Sequence, residues 1–202
     1  MCTQDNSIPL ECFSNISENA GSFQAIQWIR SQLAVCSSSP DHASCQSERI
    51  PRLPARVLEL VGPTQVRLHV SKQNEAARYA CLSHCWGSVQ PLKTTRETIE
   101  NFQRSIPWQD LPQTFRDAIT VVDQLGLKYL WIDSLTIVQD DIEDWRLEGS
   151  KMAEIYRNSY VTISATSASC SNSGLFFDTP LAYRGRPIRL QRSNKKVYVR
   201  ES

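Results

Sequence analysis

The clearest hydrophobic periodicity in the chain lies between Leu111 and Leu127. Phe115, Ala118, Ile119, Val122 and Leu125 recur at helical spacing and trace one face. Pro112 suits a first turn, and Gly126 stands where a helix C-cap falls. The run "LKYLWID" follows at once. It is almost continuously apolar and stops at Asp133, the form of a parallel strand covered on both faces. Upstream, "YACLSHCWG" (residues 79–87) reads as a short strand closing in a Trp-Gly turn. "RVLELVGPTQVRLHV" reads as a hairpin, with Val57, Leu60, Val66, Leu68 and Val70 strand-like and Gly62-Pro63 at the turn.

Downstream, the spacing predicts a helix from about Asp141 to Arg157. Ile142, Trp145, Gly149, Met152 and Tyr156 form its apolar stripe. "SYVTISATSA" reads as a further strand, and "PIRLQRSNKKVYVR" as a hairpin around Ser193-Asn194. Near the start, Phe23, Ile26, Ile29 and Leu33 predict a helix over residues 23–35, and "LKTTRETIENFQRSI" reads as a polar helix or helical turn. The central order is strand, helix, strand, helix, strand. It predicts an α/β fold: a mostly parallel central sheet flanked by helices, with an N-terminal helix and peripheral β-hairpins. Residues 1–22 are polar and unpatterned and read as a mobile arm. Residues 23–78 form a lead-in of helix, loop and hairpin, and residues 79–202 the core domain.

Composition narrows this picture. A chain of 202 residues fits one domain with an arm, and needs no disulfide or metal to hold a core. The formal net charge of +1 argues against a generic nucleic-acid binder. The late basic residues Arg184, Arg186, Arg189, Arg192, Lys195, Lys196 and Arg200 read as a solvated face. No stretch has the make-up of a signal peptide, and none approaches the roughly 18–20 apolar residues of a membrane span. Seven cysteines, an odd number, point to reduced thiols and a cytoplasmic protein.

Candidate chemistry begins with exclusions. Seven scattered glycines make neither a dinucleotide fingerprint nor a P-loop, and there is no G-x-S-x-G elbow. Cys36, His42 and Cys45 have soft-ligand character, but zinc would need a remote fourth ligand such as Cys81 or Cys85, and no metal is expected. Ser83, His84, Cys85 and Trp86 close one predicted parallel strand, and Asp133 closes another. Ligands of open α/β sheets bind outside that edge, so Ser83, Trp86 and Asp133 are candidate pocket residues. Asp140, Asp141, Glu143 and Asp144 crowd a helix start. There carboxylates cap free N–H groups and favour the positive end of the dipole, which accounts for most of the cluster without catalysis. Glu148 comes too late for capping. It lies on the flank of the apolar stripe, either at the rim of a cleft as a candidate catalytic carboxylate or simply paired with Lys151.

These residues, in this order, resemble the heterokaryon-incompatibility (HET) domain of filamentous fungi. The resemblance is carried by Tyr79, Leu82, Ser83, Trp86, Gly87, Tyr129 to Asp133, Gln139, Asp140, Asp144, Trp145, Glu148, Met152, Ile155, Tyr156 and Gly174 to Phe176. It is strong over residues 79–177 and weaker from about residue 23. Thr136 stands where the family commonly has cysteine, a position read as packing or a turn contact. Family members commonly carry further C-terminal sequence, so the core is expected to be C-terminally truncated.

The resemblance implies a role in fungal non-self recognition and programmed cell death. It also implies a distant kinship to Toll/interleukin-1 receptor (TIR) domains, some of which cleave NAD with a helix-borne glutamate. A TIR- or flavodoxin-like core, NAD as substrate and Glu148 as the catalytic group follow from that kinship. "DWRLE" is similar to the Trp-Cys-x-x-Glu segment of TIR domains. A strand-by-strand mapping instead puts the glutamate after Phe177, where Asp178 stands. The alternatives are a non-enzymatic adaptor working by homotypic association and a truncated regulatory relative. Expected partners are other HET or incompatibility proteins, or a second copy of the chain.

Overall fold

The computed structural model describes residues 17–45, 50–87, 92–180, 186–189 and 196–199. Its centre is a five-stranded sheet: β1 (Arg56–Gly62), β2 (Gln65–Val70), β3 (Tyr79–Ser83), β4 (Tyr129–Trp131) and β5 (Val161–Ser164), in the spatial order β2-β1-β4-β3-β5. β3 runs parallel to both β4 and β5. β1 runs antiparallel to β2 and to β4. The expected mostly parallel sheet is therefore a mixed one. The difference arises in the first hairpin, which is not peripheral: β1 pairs with β4 through Leu58↔Leu130 and Glu59↔Tyr129 and sits inside the sheet. Its turn falls at Pro63-Thr64, one residue later than expected.

Period-two alternation sorts the strand residues onto two faces. Leu58 and Leu60 of β1, Ala80 and Leu82 of β3 and Leu130 of β4 pack on one face. Phe115, Ala118, Ile119 and Val122 of α3 (Gln113–Gln124) cover them. Val57, Tyr79, Cys81, Tyr129 and Trp131 point the other way, onto Ile155, Met152 and Tyr156. Burial of each fully enclosed leucine here contributes about 1.5–3 kcal/mol.

α3 ends as its sequence predicts. Gly126 takes φ +75°. Its N–H donates to the Asp123 carbonyl at 2.9 Å, and Leu127 N–H donates to the Val122 carbonyl at 3.0 Å. This paired arrangement satisfies carbonyls that a helix end leaves free. α1 (Phe23–Ser38) is capped by Ser22, whose side chain accepts from Ala25 N–H. Ile26 is buried beneath α1, whereas Phe23 is exposed. The polar helix reduces to α2 (Ile99–Arg104). Beyond it, Ile106 N–H donates to the Val66 carbonyl at 2.8 Å and shields the β2 edge.

The single helix expected over residues 141–157 is two helices, α5 (Ile142–Ser150) and α6 (Met152–Asn158), joined at Lys151. The period is right and the phase is wrong. Ile142 and Trp145 are 65% and 55% exposed, so Trp145 does not anchor the helix. Asp144 and Glu148, one turn apart, face inward instead, continued by Ile155 of α6. Asp144 ties that face to β1 through Arg56, while Glu148 pairs with Lys151 at the end of its own helix.

Residues 17–22, the described part of the arm, meet the segment before residue 180. Ala20 N–H donates to the Phe177 carbonyl (3.1 Å) and Thr179 N–H to the Glu18 carbonyl (2.8 Å). Residues 1–16 lie outside the described part. β6 (Arg186–Arg189) and β7 (Lys196–Val199) form a separate antiparallel pair. The turn at Ser193-Asn194 and the late basic side chains lie outside the described residues.

Candidate functional site

Two parallel strands bring the site together. β3 ends at the exposed Ser83, and His84 to Trp86 continue past the sheet edge. β4 ends at Trp131, and Asp133 opens α4 (Asp133–Thr136), a single turn. Asp133 Oδ2 accepts from Trp86 Nε1–H at 3.1 Å, and Oδ1 accepts from Ser134 N–H at 2.7 Å. The Gln139 amide braces the turn by donating to the Asp133 and Ile137 carbonyls. Within that turn Thr136 Oγ1 donates to the Ile132 carbonyl at 2.8 Å. The position read as a turn contact is one.

His84 lies behind this pair. Its ring is 1% exposed, with Nδ1 4.0 Å from Asp133 Oδ1, and stands edge-on to Phe115. Nε2 is buried and has no hydrogen-bond partner among the described residues. Burial holds the imidazole below its ordinary pKa, with the Asp133 charge pulling the other way. Tyr156 reaches the same corner from α6 and donates to the Leu82 carbonyl at 3.1 Å. Burial drives its hydroxyl pKa up, and the Asp133 charge adds to the shift. The Cys81 thiol, pushed up to about 12 by burial, is a packing group rather than a nucleophile.

The structure thus joins Trp86 to Asp133 and leaves Ser83 at the end of the neighbouring strand. Glu148 is held by a different partner. It is 4% exposed, and Lys151 Nζ meets its Oε1 at 2.8 Å. Among the described residues, no polar contact links it to Ser83, Trp86 or Asp133. It is the buried half of an ion pair with Lys151, one of the two arrangements its sequence position allowed. Asp178, the other mapped carboxylate, is exposed and accepts from the Asn19 amide at 2.9 Å.

The remaining motif residues hold the scaffold. Asp141 caps α5 by accepting from Glu143 and Asp144 N–H, Asp140 accepts from Arg96 N–H, and Asp144 joins Arg56. Gly174 N–H donates to Thr114 Oγ1, and Leu175 N–H to Asp117 Oδ2, docking the Gly-Leu-Phe segment on α3. Cys36 Sγ lies 3.4 Å from His42 Nδ1, but no group of three metal-capable side chains occurs among the described residues. Sequence reasoning missed the His84–Asp133 approach and the place of Tyr156. Only the position of His84 beside Ser83 hinted at the first. Tyr156 read simply as part of an apolar stripe.

No curated protein and no solved structure matches the chain. The family model described as "Heterokaryon incompatibility protein (HET)" matches residues 79–200, from the first residue of β3 to the end of β7 and one residue beyond. That span takes in β3, Trp86, Asp133, the helix carrying Glu148 and the Gly-Leu-Phe segment, and it is more than half of the 202 residues, so the chain belongs to the heterokaryon-incompatibility (HET) family.

Proposed function

We propose that this chain acts in the cytoplasm in fungal non-self recognition, triggering programmed cell death through a nucleotide-handling site on a TIR-like core. The observation that carries the reading is the strand order. Counted from β3, the three parallel strands lie in the order 2-1-3, with Trp86 hydrogen-bonded to Asp133 at their carboxyl edge. That order begins the flavodoxin-like arrangement, in which ligands bind at this edge. In this reading NAD is the substrate, Ser83, Trp86 and Asp133 line the pocket, and Glu148 stabilises the charge that develops on the ribose as the glycosidic bond breaks. Glu148 must first exchange Lys151 for substrate.

A specific observation favours a second reading, an adaptor acting by homotypic association with other HET proteins or with its own copies. Ile142, Trp145 and Leu147 of α5 are all exposed, while Glu148 is already paired. The test is NAD consumption by purified protein, free and artificially oligomerised, alongside overexpression in a filamentous fungus. NAD cleavage lost in Glu148→Ala, together with loss of killing, supports the enzyme. Killing retained by a folded Glu148→Ala protein that consumes no NAD rejects the enzyme and selects the adaptor.

A further inference from the structure

We propose that Asp133 is a ribose-recognition residue, its carboxylate accepting the vicinal 2′- and 3′-hydroxyls of a ribonucleoside. The inference rests on the nucleotide reading above and deepens it. A carboxylate has about four acceptor positions. Two are committed here, one on each oxygen: Oδ2 to the Trp86 indole N–H and Oδ1 to Ser134 N–H. His84 Nδ1, at 4.0 Å, is outside hydrogen-bond range. Among the described residues one position on each oxygen is thus left for a ligand, and the side chain is 23% exposed and able to meet one. Two acceptors a carboxylate's width apart match two adjacent hydroxyl donors.

Topology points to the same chemistry. Asp133 lies two residues past the end of β4, the second strand of the 2-1-3 order. In dinucleotide-binding sheets, an acidic residue downstream of the first turn takes the ribose hydroxyl. The phosphate cradle of those sheets is missing, since the seven glycines form no clustered loop. His84 completes the device from behind. Its ring is enclosed and held toward the neutral form, so the Asp133 charge remains available to the ligand instead of being neutralised by a neighbouring cation. The Trp86 indole N–H holds the same carboxylate in place from the end of the neighbouring strand.

The experiment compares adenosine, 2′-deoxyadenosine and 3′-deoxyadenosine binding to the purified full chain by calorimetry or ligand-observed NMR. Loss of either hydroxyl removes one hydrogen bond to a charged acceptor and is expected to raise Kd about 10- to 100-fold. Asp133→Asn is expected to bind all three about equally and weakly. Equal binding of the three nucleosides by wild type overturns the proposal without recourse to any variant, as does binding of none of them. Discrimination that survives in a folded Asp133→Asn protein overturns it as well. NAD consumption separates the two readings. Ribose-selective binding without cleavage keeps this inference and removes the glycohydrolase. Cleavage without ribose selectivity does the reverse.

Discussion

Replacing Asp144 by alanine removes a carboxylate shared by three parts of the chain. Its Oδ2 accepts from the Arg56 guanidinium at 2.5 Å and from Val138 N–H at 2.8 Å, while Arg56 Nε donates to the Thr136 carbonyl at 2.6 Å. The pair therefore fastens β1, the turn after α4 and the start of α5. Its side chains are only 13% and 17% exposed. Removing one member of a buried pair costs about 3–5 kcal/mol, because the other is left enclosed without a partner. Arg56 keeps its Thr136 bond and some contact with water, which places the cost near the low end, about 3 kcal/mol. At a urea m-value of about 2 kcal/mol/M, the unfolding midpoint falls by about 1.5 M. Tryptophan fluorescence during urea titration reads it. Glu143→Ala is the control, since its pair with Arg146 is exposed and worth less than about 0.5 kcal/mol. The combined Arg56→Met/Asp144→Leu change is expected to recover part of the loss, as apolar replacement of a buried pair often does. A midpoint for Asp144→Ala within 0.3 M of the Glu143→Ala value, on the order of the measurement's own error, refutes this role for the motif aspartate.

Three further outcomes follow from particular contacts. Gly174→Ala is expected to destabilise by about 1–3 kcal/mol, since φ is +81° and a Cβ would stand 2.8 Å from Asp117 Oδ2; Gly149→Ala, in a helix with open space around it, stabilises by about 0.5–1 kcal/mol, and thermal melts compare the two. His84 is held below its ordinary value of 6.5 by burial, so the unfolded chain takes up its proton first and stability falls as pH drops below about 6.5; urea midpoints at pH 7.5 and 5.5 test this, and His84→Phe is expected to flatten that part of the profile. Thr136→Val removes the hydroxyl bond to the Ile132 carbonyl from a buried turn and is expected to cost about 1 kcal/mol in the same titration, with a neutral result showing that the hydroxyl does not stabilise the turn.

The parts of the fold written locally were legible in the sequence. α3 carries its stripe, Pro112 and Gly126 within one short window, and the structure follows them. β3 and β4 read as apolar strands because both their faces are covered. Periodicity fixes a helix's repeat but not which side meets the core, and α5 shows the consequence. Ile142 and Trp145 have core spacing, yet they are exposed, and Asp144, tied to Arg56 of β1, and Glu148 lie on the inward face. Strand pairing is non-local, so nothing in "RVLEL" announces that β1 lies against β4. The site divides in the same way. Trp86 and Asp133 were identifiable from their positions at strand ends, 47 residues apart in sequence. The approach of His84 and the arrival of Tyr156 depend on side-chain directions that only the packed sheet fixes.

The seam between residues 17–21 and 176–179 has a kinetic consequence. The Asn19–Asp178 contact joins positions 159 residues apart, so forming it closes a loop of nearly the whole described chain. Closure entropy grows only slowly with loop length, but such contacts bring no reward until the intervening chain is ordered. The seam is expected to form last in folding. Because it rests on a handful of hydrogen bonds, it is also expected to open first, well before global unfolding. Amide exchange at Ala20 and Thr179 that outpaces exchange at Leu82 and Leu130 would mark it as the zipper end of the molecule, where unravelling begins while the sheet beneath stays intact.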